Sequence, residues 1–375
     1  MNDVFTRLAN EGVSVWLDGI PPAEPASSGT RRKTGTEGIT GVVGRPAVFA
    51  EALSIDGAYQ ERIGNLAHRG LTAEEVVWEL ATEDVRAACD ALLPVHERTA
   101  GRDGFASIDI DSRNAWDADA TVAEARALWR TVNRPNVLVK IPASAANLPA
   151  ISACLAEGIG VNAVAIFSPE RYAQVTEAFL NGLERAHAAG RDLRTVASVA
   201  SFSVSPLDVE IDRELDRAGT AEARALTGKC GVVNARLAYE VYENVFGSPR
   251  WQALEAHGAR PQRLAWTSNE RTTPVRPDTE YVEELVAPDT ISVLSEETLR
   301  AVADHGAVRG DSVRRHYEES RRVLSYLPWF GISYRTVVSQ LEAATLRQSA
   351  ASRAALLTAV GGALDAHRRS LALAL

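Results

Sequence analysis

The stretch N-R-P-N-V-L-V-K-I-P-A-S, from Asn133 to Ser144, sets a lysine inside an apolar run. An ammonium group in such a place gives up hydration that a protein interior replaces poorly, and burial disfavours its charged form. The residue is costly as structure and useful as a nucleophile. Lys140 therefore has two readings: a strand-end lysine that reaches solvent or pairs with an acid, or an amine kept for chemistry.

Seven more runs of the same kind flank this one. With the run at 136–141 they occupy residues 13–17, 38–43, 105–110, 161–167, 195–200, 263–267 and 290–294. Their apolar character is nearly continuous, as expected of strands buried on both faces. Helical patterns separate them. Ser168-Pro169-Glu170 supplies a cap residue, a proline and a first-turn acid, and that helix should close at Gly190. Residues 117–132 and 147–158 are similarly amphipathic. Eight strands with helical crossovers predict an α/β fold, a (β/α)8 TIM barrel with additional C-terminal helices. A doubly wound sheet is the alternative, and no GxGxxG turn favours it. The whole chain reads as one barrel domain: an N-terminal segment 1–12, an irregular loop at 19–38 over the barrel mouth, and a helical part at 296–375 packing on the barrel.

Bulk composition narrows the function. The 375 residues are 46% hydrophobic and 24% charged, as in a globular protein, with 40 basic and 49 acidic side chains for a net charge of -9. That balance argues against nucleic acid or an anionic membrane as partner. The three cysteines, Cys89, Cys154 and Cys230, lack CxxC spacing and read as packed thiols. The seven histidines show no HExxH spacing, and there is no GxSxG elbow or P-loop. Neither metal nor organic cofactor is expected. With no signal-peptide pattern and no apolar stretch of spanning length, a cytoplasmic protein is expected.

In a barrel of this type chemistry gathers at the C-terminal ends of the strands. Those ends carry Asp18, Arg45, Asp109 with Asp111, Lys140, Asn162 with Ser168, Ser201, and Ser268 with Arg271. Acids, a lysine and hydroxyls on one rim make a candidate site. Asp18 could equally cap the loop that follows it. Asp109 and Asp111 share a strand face, and pairing of these acids with Arg113 is favoured over metal binding.

Several long stretches resemble the transaldolase family, in the longer form seen in actinobacteria. They are V-S-V-W-L-D-G-I, the segment from Ser107 to Trp129, R-P-N-V-L-V-K-I-P-A-S, the segments 158–172 and 196–212, and the segment 278–306, in the family's order. The resemblance implies a class I mechanism on a small carbonyl or sugar substrate. In it Lys140 forms a Schiff base, Asp18 is the acid/base for the carbon–carbon step, and Asp109 relays protons. It implies substrate contacts from Asn162, Ser201, Ser268 and Arg271, and a monomer or homodimer; Arg45, which stands where the family has a substrate-contacting asparagine, could hold a substrate carboxylate or simply neutralise Asp18 or Asp109.

Four positions depart from the family's pattern. Arg45 stands for an asparagine, Asp109 for a glutamate, Val164 for a threonine and Pro206 for a phosphate-binding arginine. Loss of the Val164 hydroxyl weakens a water relay, and loss of the arginine removes a charge-assisted contact. These changes lead to the expectation of a repurposed imine-forming enzyme acting on a non-phosphorylated or carboxylated substrate in specialised metabolism. The alternatives are a transaldolase of the pentose phosphate pathway and a non-catalytic binding protein.

Overall fold

Eight parallel strands close into a barrel in chain order, and β1 is hydrogen-bonded to both β2 and β8. They are β1 (Ser14–Asp18), β2 (Ile39–Val43), β3 (Phe105–Asp109), β4 (Val137–Pro142), β5 (Val161–Ile166), β6 (Ser198–Ser203), β7 (Arg263–Thr267) and β8 (Ile291–Leu294). This is the TIM barrel. The computed structural model describes residues 3–20, 38–44, 57–268 and 277–374. Arg45, Arg271 and most of the loop at 19–38 lie outside the described residues.

The strand runs lack alternation because both faces are covered. Val15, Leu17, Ala106, Ile108, Val139 and Ile141 are buried in the large core that includes the surrounding helices. Trp16, Val43, Phe105, Leu138, Val199, Ala265, Ile291 and Val293 pack together in a separate cluster. Side chains alternate faces along a strand. Two residues beyond Trp16, Leu138 and Val199, and four beyond Phe105, come Asp18, Lys140, Ser201 and Asp109. The polar set thus follows the interior apolar layer on the same strand faces, toward the strands' C-terminal ends.

Strand six differs from the expectation by three residues. Asp192 accepts from Arg194 N at 3.0 Å and starts a 3-10 turn, Leu193–Thr195, which takes Thr195 out of the strand. Ser201 consequently lies within β6 rather than beyond its end. Asp111 also differs, since β3 ends at Asp109. Asp111 instead caps a second 3-10 turn, Ser112–Asn114, and is bound by Arg113 Nη2 at 2.6 Å and Nε at 3.0 Å. Ser168 caps the helix Pro169–Ala188 as its sequence suggests, accepting from Arg171 N at 3.1 Å.

The N-terminal end of the barrel is stoppered by a buried ion pair. Arg263 Nη1 lies 3.6 Å from Asp103 Oδ2, with each side chain only 7% exposed. Trp16 Nε1 donates to Asp103 Oδ1 at 2.7 Å, and Ser14 Oγ donates to the other carboxylate oxygen. Arg263 also donates to Ser14 Oγ and to Thr290 O, each at 2.7 Å. Residue 41 must be glycine here, because a Cβ would lie 2.4 Å from the Trp16 ring.

Beyond β8 come the helices Glu296–His305, Tyr317–Ser325 and Tyr334–Ala374. The last packs on the helices Gly57–Ala67, Ala73–Arg98 and Ser205–Ala218, on the Ser112–Asn114 turn and on β5. Its Leu356, Val360 and Leu364 join Tyr59, Ile63 and Leu80 in one apolar cluster. Arg171 forks onto Glu342, with both contacts at 3.0 Å. Among the described residues no helix is long and apolar enough to cross a membrane. Cys89, Cys154 and Cys230 are buried free thiols, and burial pushes Cys89 and Cys154 up to about 12.

Candidate active site

Strand register brings lysine and acid together. Asp109 is the Cα partner of Lys140 across β3 and β4. Lys140 Nζ lies 2.7 Å from Asp109 Oδ1 and donates to Gly44 O at 2.5 Å. Gly44 follows β2, and its N–H donates to Ser107 O at 3.0 Å. A Cβ at residue 44 would come 2.8 Å from that same carbonyl, so only glycine lets the backbone approach this closely. The lysine side chain is 11% exposed, which excludes extension into bulk water. Burial raises the Asp109 carboxyl above its ordinary value, and the charge and hydrogen bond of Lys140 oppose that rise.

Both groups line a cavity of about 320 Å³ at the barrel mouth, as do Asp18, Ser201 and Ser268. That volume is at the small end of the ligand-pocket range, about 300–1,000 Å³. Asn162 contributes from below. It is fully buried, its Nδ2 donates to Ser107 Oγ at 3.3 Å, and its Oδ1 accepts from Ser201 Oγ at 2.8 Å. The sequence placed Asn162 against substrate; here its amide ties β3 to β6 under the lysine.

Ala165 and Ser268, on the cavity wall, have φ of 61° and 54°. Non-glycine residues pay of order 1–3 kcal/mol for such backbone, and strain of this kind concentrates at working sites. Opposite the strands, the helix Tyr334–Ala374 presents Thr345, Ser349 and Arg353 to the cavity, and the Ser112 turn completes that side. Arg353 Nη2 is 3.3 Å from Asp111 Oδ2. Burial pushes Asp111 up, but hydrogen bonds from Arg113 and the charges of Arg353 and Arg113 hold its carboxyl below the ordinary range. Asp84 also lines the cavity, and there it accepts from Tyr59 Oη at 2.6 Å and pairs with Arg62 at 2.7 Å.

Strand-end reasoning finds Asp18, Asp109, Lys140, Ser201 and Ser268 in one cavity, whereas Asp111 and Ser168 serve local caps. It misses Ser112, Arg353 and the other contributions of the last helix. Arg353 carries a faint signal, an arginine beside the small residues of A-A-S-R-A-A, but no local pattern says which cavity it enters. Among the described residues no group of three or more His, Cys, Asp or Glu side chains could hold a metal ion.

A barrel whose mouth buries a lysine against a carboxylate defines a lysine-centred α/β-barrel site. Residues 15–360 match the family described as Transaldolase/Fructose-6-phosphate aldolase. A transaldolase of Thermobifida fusca (strain YX) is 47% identical over 367 residues, covering 98% of this chain and all of that protein. One of Acidothermus cellulolyticus is 46% identical, covering 98% and 99%. Transaldolase 1 of Streptomyces avermitilis is 47% identical, covering 96% and 95%. The chain belongs to the transaldolase/fructose-6-phosphate aldolase family and is an enzyme of the transaldolase type.

This corrects the expectation of a specialised enzyme with a changed substrate. That reading gave four single positions more weight than the whole chain, and end-to-end identity near one half with several transaldolases overturns it. One of the four departures still leaves a carboxylate against the lysine. The aspartate is a methylene shorter than glutamate, yet strand register still sets Asp109 within 2.7 Å of Lys140.

Proposed function

We propose that this protein is a transaldolase of the pentose phosphate pathway. It moves a three-carbon dihydroxyacetone unit from a ketose phosphate, fructose 6-phosphate or sedoheptulose 7-phosphate, to an aldose phosphate. The observation that carries the proposal is the Lys140–Asp109 contact of 2.7 Å on the cavity at the barrel mouth, in a chain so similar to transaldolases along its length.

Lys140 Nζ attacks the ketose carbonyl, and water leaves to give an imine whose cationic nitrogen draws electrons from the C3–C4 bond. A carboxyl raised by burial suits the proton traffic of that step. Asp109 takes the proton the ammonium gives up and returns it to the departing hydroxyl. Asp18, at the end of β1 on the same cavity, takes the C4 hydroxyl proton as the bond breaks and the aldehyde leaves. The enamine then adds to the incoming aldehyde, and hydrolysis frees Lys140. Ser201 and Ser268 supply hydroxyl contacts to the substrate, and Asn162 positions Ser201. Arg271 is assigned a substrate contact from the family resemblance alone.

Fructose 6-phosphate and erythrose 4-phosphate, with a coupled readout for glyceraldehyde 3-phosphate, test this directly. Turnover is expected, together with a three-carbon adduct on Lys140 after borohydride reduction. Absence of both would sink the proposal.

A further inference from the structure

We infer that Arg353, with Ser112 beside it, binds the phosphate of the substrate at the rim of the Lys140 cavity. The inference deepens the transaldolase reading and rests on it for the ligand's identity as a sugar phosphate.

Two residues lining this cavity each bury a polar atom that has no hydrogen-bond partner among the described residues: Arg353 Nε and Ser112 Oγ. Buried polar atoms are otherwise satisfied almost throughout native proteins, so each orphan calls for an explanation. Both lie on the same side of the cavity. Arg353 comes from the last helix, which packs on the Ser112–Asn114 turn. An anion that draws the guanidinium and the hydroxyl toward the cavity would satisfy both.

Charge points the same way. Among the described residues lining the cavity, Lys140 and Arg353 are the cations. Lys140 is engaged with Asp109 and Gly44, and in the proposed reaction it becomes the imine nitrogen. Of these two, Arg353 remains for the anion, alongside the substrate contact assigned to Arg271. Pro206, in the first turn of the helix Ser205–Ala218, offers no cation.

Arg353 is also lightly held. Its contact with Asp111 is 3.3 Å, longer than the 2.7–2.9 Å of a charge-assisted hydrogen bond, while Arg113 grips the same carboxylate at 2.6 Å. Arg113, which also pairs with Glu74 at 2.9 Å, offsets part of the Asp111 charge that an incoming phosphate would meet. A guanidinium has five N–H donors in a planar fork, so Arg353 can turn several donors to phosphate oxygens.

Glucitol 6-phosphate tests the site, because a polyol phosphate has no carbonyl and cannot form an imine. Binding is measured by calorimetry or competition for wild type, Arg353→Met, Arg353→Lys and Asp111→Asn, with glucitol as the unphosphorylated control. Arg353→Met is expected to weaken glucitol 6-phosphate about 10- to 100-fold, the size of a charged hydrogen bond, and to leave glucitol unchanged. Arg353→Lys should recover part of the loss, and Asp111→Asn should keep phosphate binding. The inference is overturned if wild type prefers neither polyol, if Arg353→Met leaves the preference intact, or if Asp111→Asn reproduces the loss. The last result would make Arg353 a structural clasp. Failure of sugar turnover with Arg353-dependent phosphate binding intact would overturn the reaction and keep this site.

Discussion

The two ends of the barrel each bury a cation against a carboxylate, and they do so in opposite ways. At the N-terminal end Arg263 and Asp103 are surrounded by Ser14, Trp16 and backbone carbonyls, and neither lines the cavity at the barrel mouth. At the C-terminal end Lys140 has one carboxylate and one carbonyl, and the remaining side is open cavity. Saturating a buried pair with partners makes it a brace. Leaving it short of partners beside a void makes it reactive, since the missing partner can be substrate.

Substitution at both ends should separate these roles. Lys140→Met is expected to lower kcat/KM by about 10,000-fold or more, to abolish borohydride trapping, and to shift the thermal midpoint by only a few degrees. A large loss of stability would erase the contrast. Arg263→Met should cost about 3–5 kcal/mol in urea unfolding, because it leaves Asp103 buried and unpaired. The folded fraction should keep the wild-type KM; a changed KM would show that the ends are coupled.

Asp109→Asn sharpens the contrast through pH. Burial holds the wild-type carboxyl above its ordinary 3.8, and its anionic form is the working one in the mechanism proposed here. Wild-type kcat/KM should therefore fall as pH drops through that raised value. The variant should lose that acid limb and about 100-fold in rate; an unchanged limb would take the proton relay away from Asp109. The smallest effect is expected for Ser201→Ala, which orphans Asn162 Oδ1 and should cost about 1–3 kcal/mol of stability. A loss much below that would mean that water replaces the hydroxyl.

The barrel was legible because strands covered on both faces leave unbroken apolar runs, and the lysine was legible because it interrupts one. The site was legible as far as strand ends reach, through Asp18, Asp109, Lys140, Ser201 and Ser268. The start of β6 was not, because T-V-A-S-V-A-S-F-S offers small and hydroxyl residues throughout and only the Asp192 turn decides where pairing begins. Arg353 was hidden for a different reason. Its place depends on how a distant helix docks, through contacts such as Arg171–Glu342 that no local spacing encodes. The opposite error lay in reading four altered positions as a new substrate, although one of them, Asp109, still meets Lys140.

Arg263 touches Ser14 and Asp103, groups far from it along the chain, and can meet them only after the first and last strands have joined. Contacts of such sequence separation form late, so the brace contributes little to the transition state for assembly. We predict that Arg263→Met multiplies the unfolding rate and barely alters the refolding rate in a denaturant-jump experiment, with equal changes in both refuting it. The arginine then acts as a timer: it governs how long a finished molecule lasts before it opens, not how quickly one is made.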